Sequence, residues 1–398
     1  MCGDYESTPL IRFLSPISPL NLKFLISPPK HLHHEQPKLN KMASPIQRTI
    51  TRLISHYPWT TTPLIVGAPM KVIAGPKLAV AVSNAGGIGF LGPGASPLDL
   101  EASLQEASSL ISSSPSLSKV SKDDGMLPIG VGFQTWAGDM SVASEVLEKF
   151  KPRAVWLFAP RHGQAELDEW AKRIREVSRE TKIWIQVPSV ADAVGTMKSE
   201  QKPDVLVVQG ADAGGHSRSK GAGIITLLPE VHDAVNGGVE IERQVPLIAA
   251  GGIIEERGAA AAMVLGAAGV AMGTRFLASR EATINRGYQR HVVDASDGGQ
   301  NTIRTQLYNW LRGERNWPGG WDARGLINES WRDHEKAVEF ERNKELYTEA
   351  ARQGEAGWGE DGRMATYAGT GIGLVKEVKG AGEIVDEVRD GLRKVFEL

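Results

Sequence analysis

Residues 204–216 read DVLVVQGADAGGH. Val205, Leu206, Val207 and Val208 form an unbroken apolar run of the kind that suits a strand buried on both faces. The run stops at Gln209-Gly210, and Ala213-Gly214-Gly215 follows. Paired glycines admit positive φ and let a backbone approach a ligand closely. His216 is the first histidine after this turn. Parallel α/β folds place polar groups at the C-terminal ends of buried strands, and these ends form their sites.

The same unit repeats on both sides of this stretch. PLIVG from Pro63, IGFLG, LPIGVGF ending at Gln134, AVWLFAP, KIWIQV, VPLIAAGGI and GVAMG are the other short apolar runs. Between them lie segments with helical spacing, such as Pro97–Ser113, Glu166–Thr181 and the alanine-rich Glu255–Leu265. Ser112–Asp124 reads as a loop. Asp139 is placed to cap the helix that runs to Phe150. Eight strand–helix steps imply parallel pairing and predict an α/β fold, a (β/α)8 TIM barrel. The structural alternative is an open doubly wound sheet. Its GxGxxG fingerprint is absent after Val66.

Four segments are expected: an N-terminal extension over 1–41, a barrel over 42–280, a helical cap subdomain over 281–365 after strand eight, and a return segment over 366–398. The extension is rich in Ser, Pro and His and carries three of the nine histidines, His31, His33 and His34. Met42-Ala43-Ser44 resembles an ordinary start. Pro16 and Pro19 break the apolar pieces that a signal peptide would need, and an organellar targeting role stays open. The cap region is polar, helical in tendency, and carries Trp310, Trp317, Trp321, Trp331 and Trp358. It reads either as a packing subdomain or as a lid that dries the site. The last segment, Glu383–Phe396, reads as an amphipathic helix with Ile384, Val388 and Leu392 on one face.

Composition excludes several classes. The 398 residues carry a net charge of -2, so no electrostatic footprint for nucleic acid or an anionic membrane appears. The one cysteine, Cys2, leaves no internal disulfide and no thiolate metal cluster. No apolar run reaches the roughly 18–20 residues of a membrane span. No HxxxH or HExxH pair appears and the 31–34 histidines read as a solvated tail rather than a metal site, so no metal is assigned, and GxSxG is missing too. A cytoplasmic location, as monomer or homodimer, is the expectation.

In such barrels a phosphate sits in the loops after strands seven and eight. Those loops are Ala250-Gly251-Gly252 and Met272-Gly273-Thr274-Arg275. Glycine N–H groups hold phosphate without a charged side chain, and Thr274 adds a hydroxyl. Each glycine is equally the residue of a tight turn. A phosphate there leaves a planar group over the barrel mouth, where an isoalloxazine ring fits. Ala68-Pro69-Met70, ending strand one, then faces it. Gln186 and Gln209, ending strands five and six, aim amides at the same mouth, and Gln134 is a further candidate. Buried amides without partners are costly, which favours ligand contact. His216 is either structural or a base above the ring. Asp212 is placed to orient the loop or cap it.

These motifs together resemble the nitronate monooxygenases, formerly called 2-nitropropane dioxygenases. The segments that carry the resemblance are APMKVIAGPKLAVAVSNAGGIGFLG from Ala68, VQGADAGGHS from Val208, PLIAAGGI from Pro246 and GVAMGTRF from Gly269. The match spans Pro63–Arg280 and is looser beyond. It implies a barrel binding FMN non-covalently and oxidising alkyl nitronates, or nitroalkanes, with O2. It implies FMN contacts at Ala68, Pro69, Met70, Gln209 and Gly214, phosphate contacts at Gly251, Gly252, Gly273 and Thr274, and His216 as catalytic base. Gly215 and Met272 belong to the same two motifs. Related bacterial sequences read GVN after strand three, where this chain reads Gly130-Val131-Gly132, and Gln134 stands as the substitute contact. Two rivals share the flavin or phosphate loops: an FMN-dependent NAD(P)H enoyl-thioester reductase, and a non-catalytic barrel that binds a phosphate ligand. A dehydrogenase of the inosine-monophosphate type needs a catalytic cysteine, and Cys2 is far from any strand end.

Overall fold

A computed structural model describes residues 45–92 and 97–396. The expectations for 1–41, for the Met42 start and for Cys2 lie outside the described residues. Eight parallel strands close into a barrel: β1 (Leu64–Gly67), β2 (Ile88–Leu91), β3 (Leu127–Gln134), β4 (Pro152–Phe158), β5 (Lys182–Val187), β6 (Val205–Gln209), β8 (Leu247–Ala250) and β9 (Gly269–Met272). The last closes on the first through Val66 opposite Ala271. These are the eight runs read from the sequence. A seventh strand in chain order, β7 (Gly215–Arg218), lies outside the barrel.

Alternation along each strand explains why the runs are apolar throughout. Val205 and Val207 pack inside the barrel with Val66, Phe90, Trp156, Trp184 and Ile248. Leu206 and Val208 pack outward against the helices, with Ile65, Val131, Ile185 and Val270. Period-2 alternation with both faces buried requires carbon at every position. The helix Pro45–Ser55 and the turn after it cover the N-terminal end. Leu53 and Tyr57 are buried there, and the Trp184 indole donates to the Tyr57 hydroxyl at 2.6 Å. Chemistry is thereby confined to the other end.

Three local readings need correction. Pro115–Asp124, read as part of a loop, is a helix: the Ser114 hydroxyl accepts from the Leu117 N–H at 3.3 Å, and Gly125 ends it with positive φ. The region after β9 is not helical alone. It contains β10 (Thr302–Thr305) and β11 (Trp321–Leu326), which form an antiparallel three-stranded sheet with β7 in the order β10-β11-β7. Trp321–Gly325, read as the end of a turn-rich loop, is strand. His216 is therefore on a strand, opposite Ala323. The helices of this region include Arg286–Asp294, Leu307–Leu311, Glu329–Glu335 and Phe340–Arg352. The chain ends with Ala381–Phe396, whose Ile384, Val388 and Leu392 are buried against the barrel's outer layer.

Candidate active site

A cavity of about 520 Å³ opens at the C-terminal ends of the barrel strands, between them and the sheet that carries β7. Strand parity decides which side chains reach it. Gln209 follows the inward Val205 and Val207, and Gln186 follows the inward Trp184, so both amides line the cavity. Gln134 lines it too, on the same side of β3 as Gly130 and Gly132. Met272 has the opposite parity. It follows the outward Val270, is wholly buried in the outer layer, and does not line the cavity. Only its carbonyl takes part in the rim, accepting the Ala68 N–H at 3.0 Å.

The two amides are not orphans. The Trp156 indole donates to Gln186 Oε1 at 3.1 Å, Gln186 Nε2 donates to Gln209 Oε1 at 2.8 Å, and Gln209 Nε2 points at the His216 carbonyl at 3.5 Å. Each NH2 group keeps one N–H for another acceptor. Opposite them, Ala68, Pro69 and Met70 form the wall at the end of β1. A Cβ on Gly132 would sit 2.3 Å from the Pro69 side chain. An asparagine at 132 does not fit against this wall, which accounts for the Gly-Val-Gly reading there.

The glycine loops after β8 and β9 form the far wall, where Gly251, Gly252, Gly273 and Thr274 meet the cavity. Gly251 and Gly252 have φ of 104° and 76°, a region that side chains disfavour. Neither the Gly252 nor the Thr274 N–H has a backbone acceptor among the described residues. Free N–H groups around a turn suit an anion. The return segment braces this wall. The Gly369 N–H donates to Thr274 Oγ1 at 3.0 Å, and the Thr370 hydroxyl donates to Asp212 Oδ1 at 3.1 Å. Asp212 thus ties its loop to residue 370, and no bond joins it to His216. Arg275 points elsewhere, toward the Glu377 carbonyl at 3.3 Å.

Gly214, Gly215 and His216 close the cavity from the β7 side. Arg304 on β10 holds this segment, donating to the carbonyls of Ala211 at 3.0 Å, Ala213 at 2.7 Å and Gly215 at 3.3 Å. The Trp317 indole stacks on the His216 ring with centroids 3.4 Å apart and planes 4° apart. His216 Nε2 lies 2.9 Å from Asn309 Nδ2 and 3.2 Å from its Oδ1. Burial pushes the His216 ring down to about 3. The Asn309 bond opposes this, and the cations Arg312, Arg304 and Lys71 add to it. The ring is neutral at pH 7. Lys71, Arg312 and Glu314 also face the cavity, and Glu314 lies between the two cations at 3.8 and 3.3 Å.

Arg304, Asn309, Arg312, Trp317 and Tyr367 were not singled out from the sequence as site residues. They come from the region after β9, and only the tryptophan spacing drew notice there. The signal that could have found them is Gly215–Arg218 read as a strand, since an exposed strand edge needs a partner.

A family model described as nitronate monooxygenase matches residues 56–391. Nitronate monooxygenase npaC of Metarhizium robertsii is 56% identical over 345 residues, covering 86% of this chain and 95% of that one. The nitronate monooxygenase of Neurospora crassa is 34% identical over 365 residues, covering 88% and 94%. Among solved structures, FabK from Thermotoga maritima superposes with a TM-score of 0.64 at 25% identity, over 87% of this chain and 97% of that one. A nitroalkane oxidase from Streptomyces ansochromogenes superposes at 0.63 and 23% identity, over 86% and 98%, and shares the fold.

Proposed function

This chain belongs to the nitronate monooxygenase family and is an oxidoreductase, and from that premise we propose that it oxidises alkyl nitronates with O2 to carbonyl compounds and nitrite, using bound FMN. The family points to a flavin, and the cavity suits FMN in particular because one wall offers free N–H groups to a single phosphate. The observation that carries the reading is that His216 lines the same cavity as the two glycine loops, across from Ala68-Pro69-Met70.

In this reading Gly251, Gly252, Gly273 and Thr274 hold the phosphate. Gln134, Gln186 and Gln209 offer amides to the ring's polar edge, Ala68, Pro69 and Met70 lie along the ring, and Gly214-Gly215 brings the backbone close to it. FMN, when bound, supplies the redox chemistry toward O2. The chain supplies placement. Lys71 and Arg312 face the cavity against one carboxylate, Glu314, so the field there favours an anionic substrate. A nitronate arrives already deprotonated. A neutral nitroalkane must first lose its α-proton, and His216 is the group placed to take it. Trp317, Trp358 and Tyr367 wall the cavity and exclude water.

The test is the absorption spectrum of the purified chain, followed by anaerobic propyl-2-nitronate and, separately, NADPH. Bleaching of a bound flavin by the nitronate is expected. Rapid bleaching by NADPH alone would favour an enoyl-thioester reductase, and a flavin that no donor reduces would favour a binding protein.

A further inference from the structure

The His216 ring is held from behind by a chain of amides, and the chain has a direction. Gln306 Nε2 donates to Asp322 Oδ1 at 3.0 Å and to the Trp321 carbonyl. Both partners only accept, so the Gln306 NH2 must face them and its Oε1 must face Asn309. That oxygen accepts a hydrogen bond from Asn309 Nδ2 at 2.8 Å. Asn309 Oδ1 in turn accepts from the Tyr367 hydroxyl at 2.9 Å. The orientation of the Asn309 amide is thereby set by Gln306, and the Tyr367 hydroxyl, free to donate, is compatible with it. Its second Nδ2 proton lies toward His216 Nε2, 2.9 Å away. Asn309 is wholly buried and stands behind the cavity wall. No described residue bonds His216 Nδ1.

A nitrogen that accepts an N–H must offer its lone pair, so the proton of the neutral ring belongs to the other nitrogen. We propose that Asn309, oriented by Gln306 and Asp322, is a positioning residue that fixes neutral His216 as the Nδ1–H tautomer, presenting a donor to the cavity. For its consequence the proposal rests on the nitronate reading above. A donor suits the oxygens of an anionic nitronate. The opposite tautomer is needed for Nδ1 to take an α-proton, and that requires Nε2–H to turn to Asn309 Oδ1, 3.2 Å away. The resting site is therefore set for nitronate, and a nitroalkane pays for a change of tautomer.

The test is long-range ¹H–¹⁵N correlation of ring nitrogens in the full chain labelled with ¹⁵N-histidine, at pH 7.5. A His216→Gln spectrum identifies the resonances by difference. In the wild type Nε2 is expected bare and Nδ1 protonated; a protonated Nε2 overturns the proposal. In Asn309→Asp the side chain only accepts, so Nε2 is expected to gain the proton. The ratio of nitroalkane to nitronate kcat/KM should rise roughly tenfold, a change in preference that general loosening would not give. An unchanged Nε2 in that variant also overturns the proposal. Should Asn309→Asp not fold, Gln306→Leu frees the amide to turn, and a mixture of tautomers is expected; a single Nδ1–H form there counts against the chain of amides. The tautomer is read without turnover. A chain with the expected tautomer that oxidises no nitronate would break the function assigned above and leave this proposal standing.

Discussion

The barrel and the segment that closes over it build their shares of the cavity by different means. The barrel contributes backbone and strand-end residues: glycine turns after β8 and β9, the Ala-Pro-Met wall after β1, and amides set by strand parity. The closing segment contributes long side chains that reach across space. Arg304 grips three carbonyls of the loop leading into β7, Asn309 grips the imidazole, and Trp317 covers its face. A wall made of backbone needs small residues in a row, which a sequence displays. A grip made of side chains needs partners on separate elements, such as Asn309 and His216, and their pairing appears only when the sheet forms.

The largest expected effect tests whether the gripped imidazole does chemistry. His216→Asn should bind FMN normally and lose nitroalkane turnover by about 10²–10⁴-fold, the usual range for a general base, with a smaller loss on nitronate. Equal turnover of nitroalkane by both proteins would remove the base role. Next, Arg304→Leu should cost about 3 kcal/mol in urea unfolding, since buried carbonyls lose charge-assisted bonds. A loss below about 1 kcal/mol would mean that the loop before β7 stands by itself.

Acid should separate the two regions. Burial lowers His216 to about 3 and His291 to about 4, against 6.5 when unfolded. Between those values the unfolded chain binds protons that the folded chain does not, so stability is full above about pH 6.5 and falls as pH drops toward the folded pKa values. At pH 5 the loss is roughly 2 kcal/mol for each ring. His291 lies in the closing segment and His216 is held by it, so tryptophan fluorescence should change before far-UV circular dichroism does. Coincident transitions would show the two regions unfolding as one. The smallest effect is expected from Gly273→Ala, whose Cβ would meet nothing nearer than 3.8 Å. The apo chain should keep its melting temperature, while FMN affinity falls about tenfold, roughly 1.4 kcal/mol. Unchanged affinity would move the phosphate away from that loop.

The failures of sequence reading also divide between the two regions. Within the barrel the sequence left unread which way the side chain of Met272 points. This residue belongs to a motif at a strand end, but its place after Val270 turns it outward, and counting by twos would have shown this. The helix Pro115–Asp124 was missed although Ser114-Pro115 opens it and Gly125 closes it. Outside the barrel the errors were larger. Four-residue strands such as β7 and β10 carry too little periodicity to be seen, and they are stable because each pairs with β11.

The sequence by itself determined the barrel, its strand ends and the glycine turns, because hydrophobic alternation and turn chemistry are local and repeat eight times. It also brought His216, Gln186 and Gln209 to notice by their places just past apolar runs. Only the tertiary structure decided what surrounds His216. Antiparallel pairing of β7 with β11 is a contact between residues about a hundred positions apart. No local pattern encodes which amide, arginine or indole such a pairing brings to the ring. That choice follows from packing, and packing is a property of the whole chain.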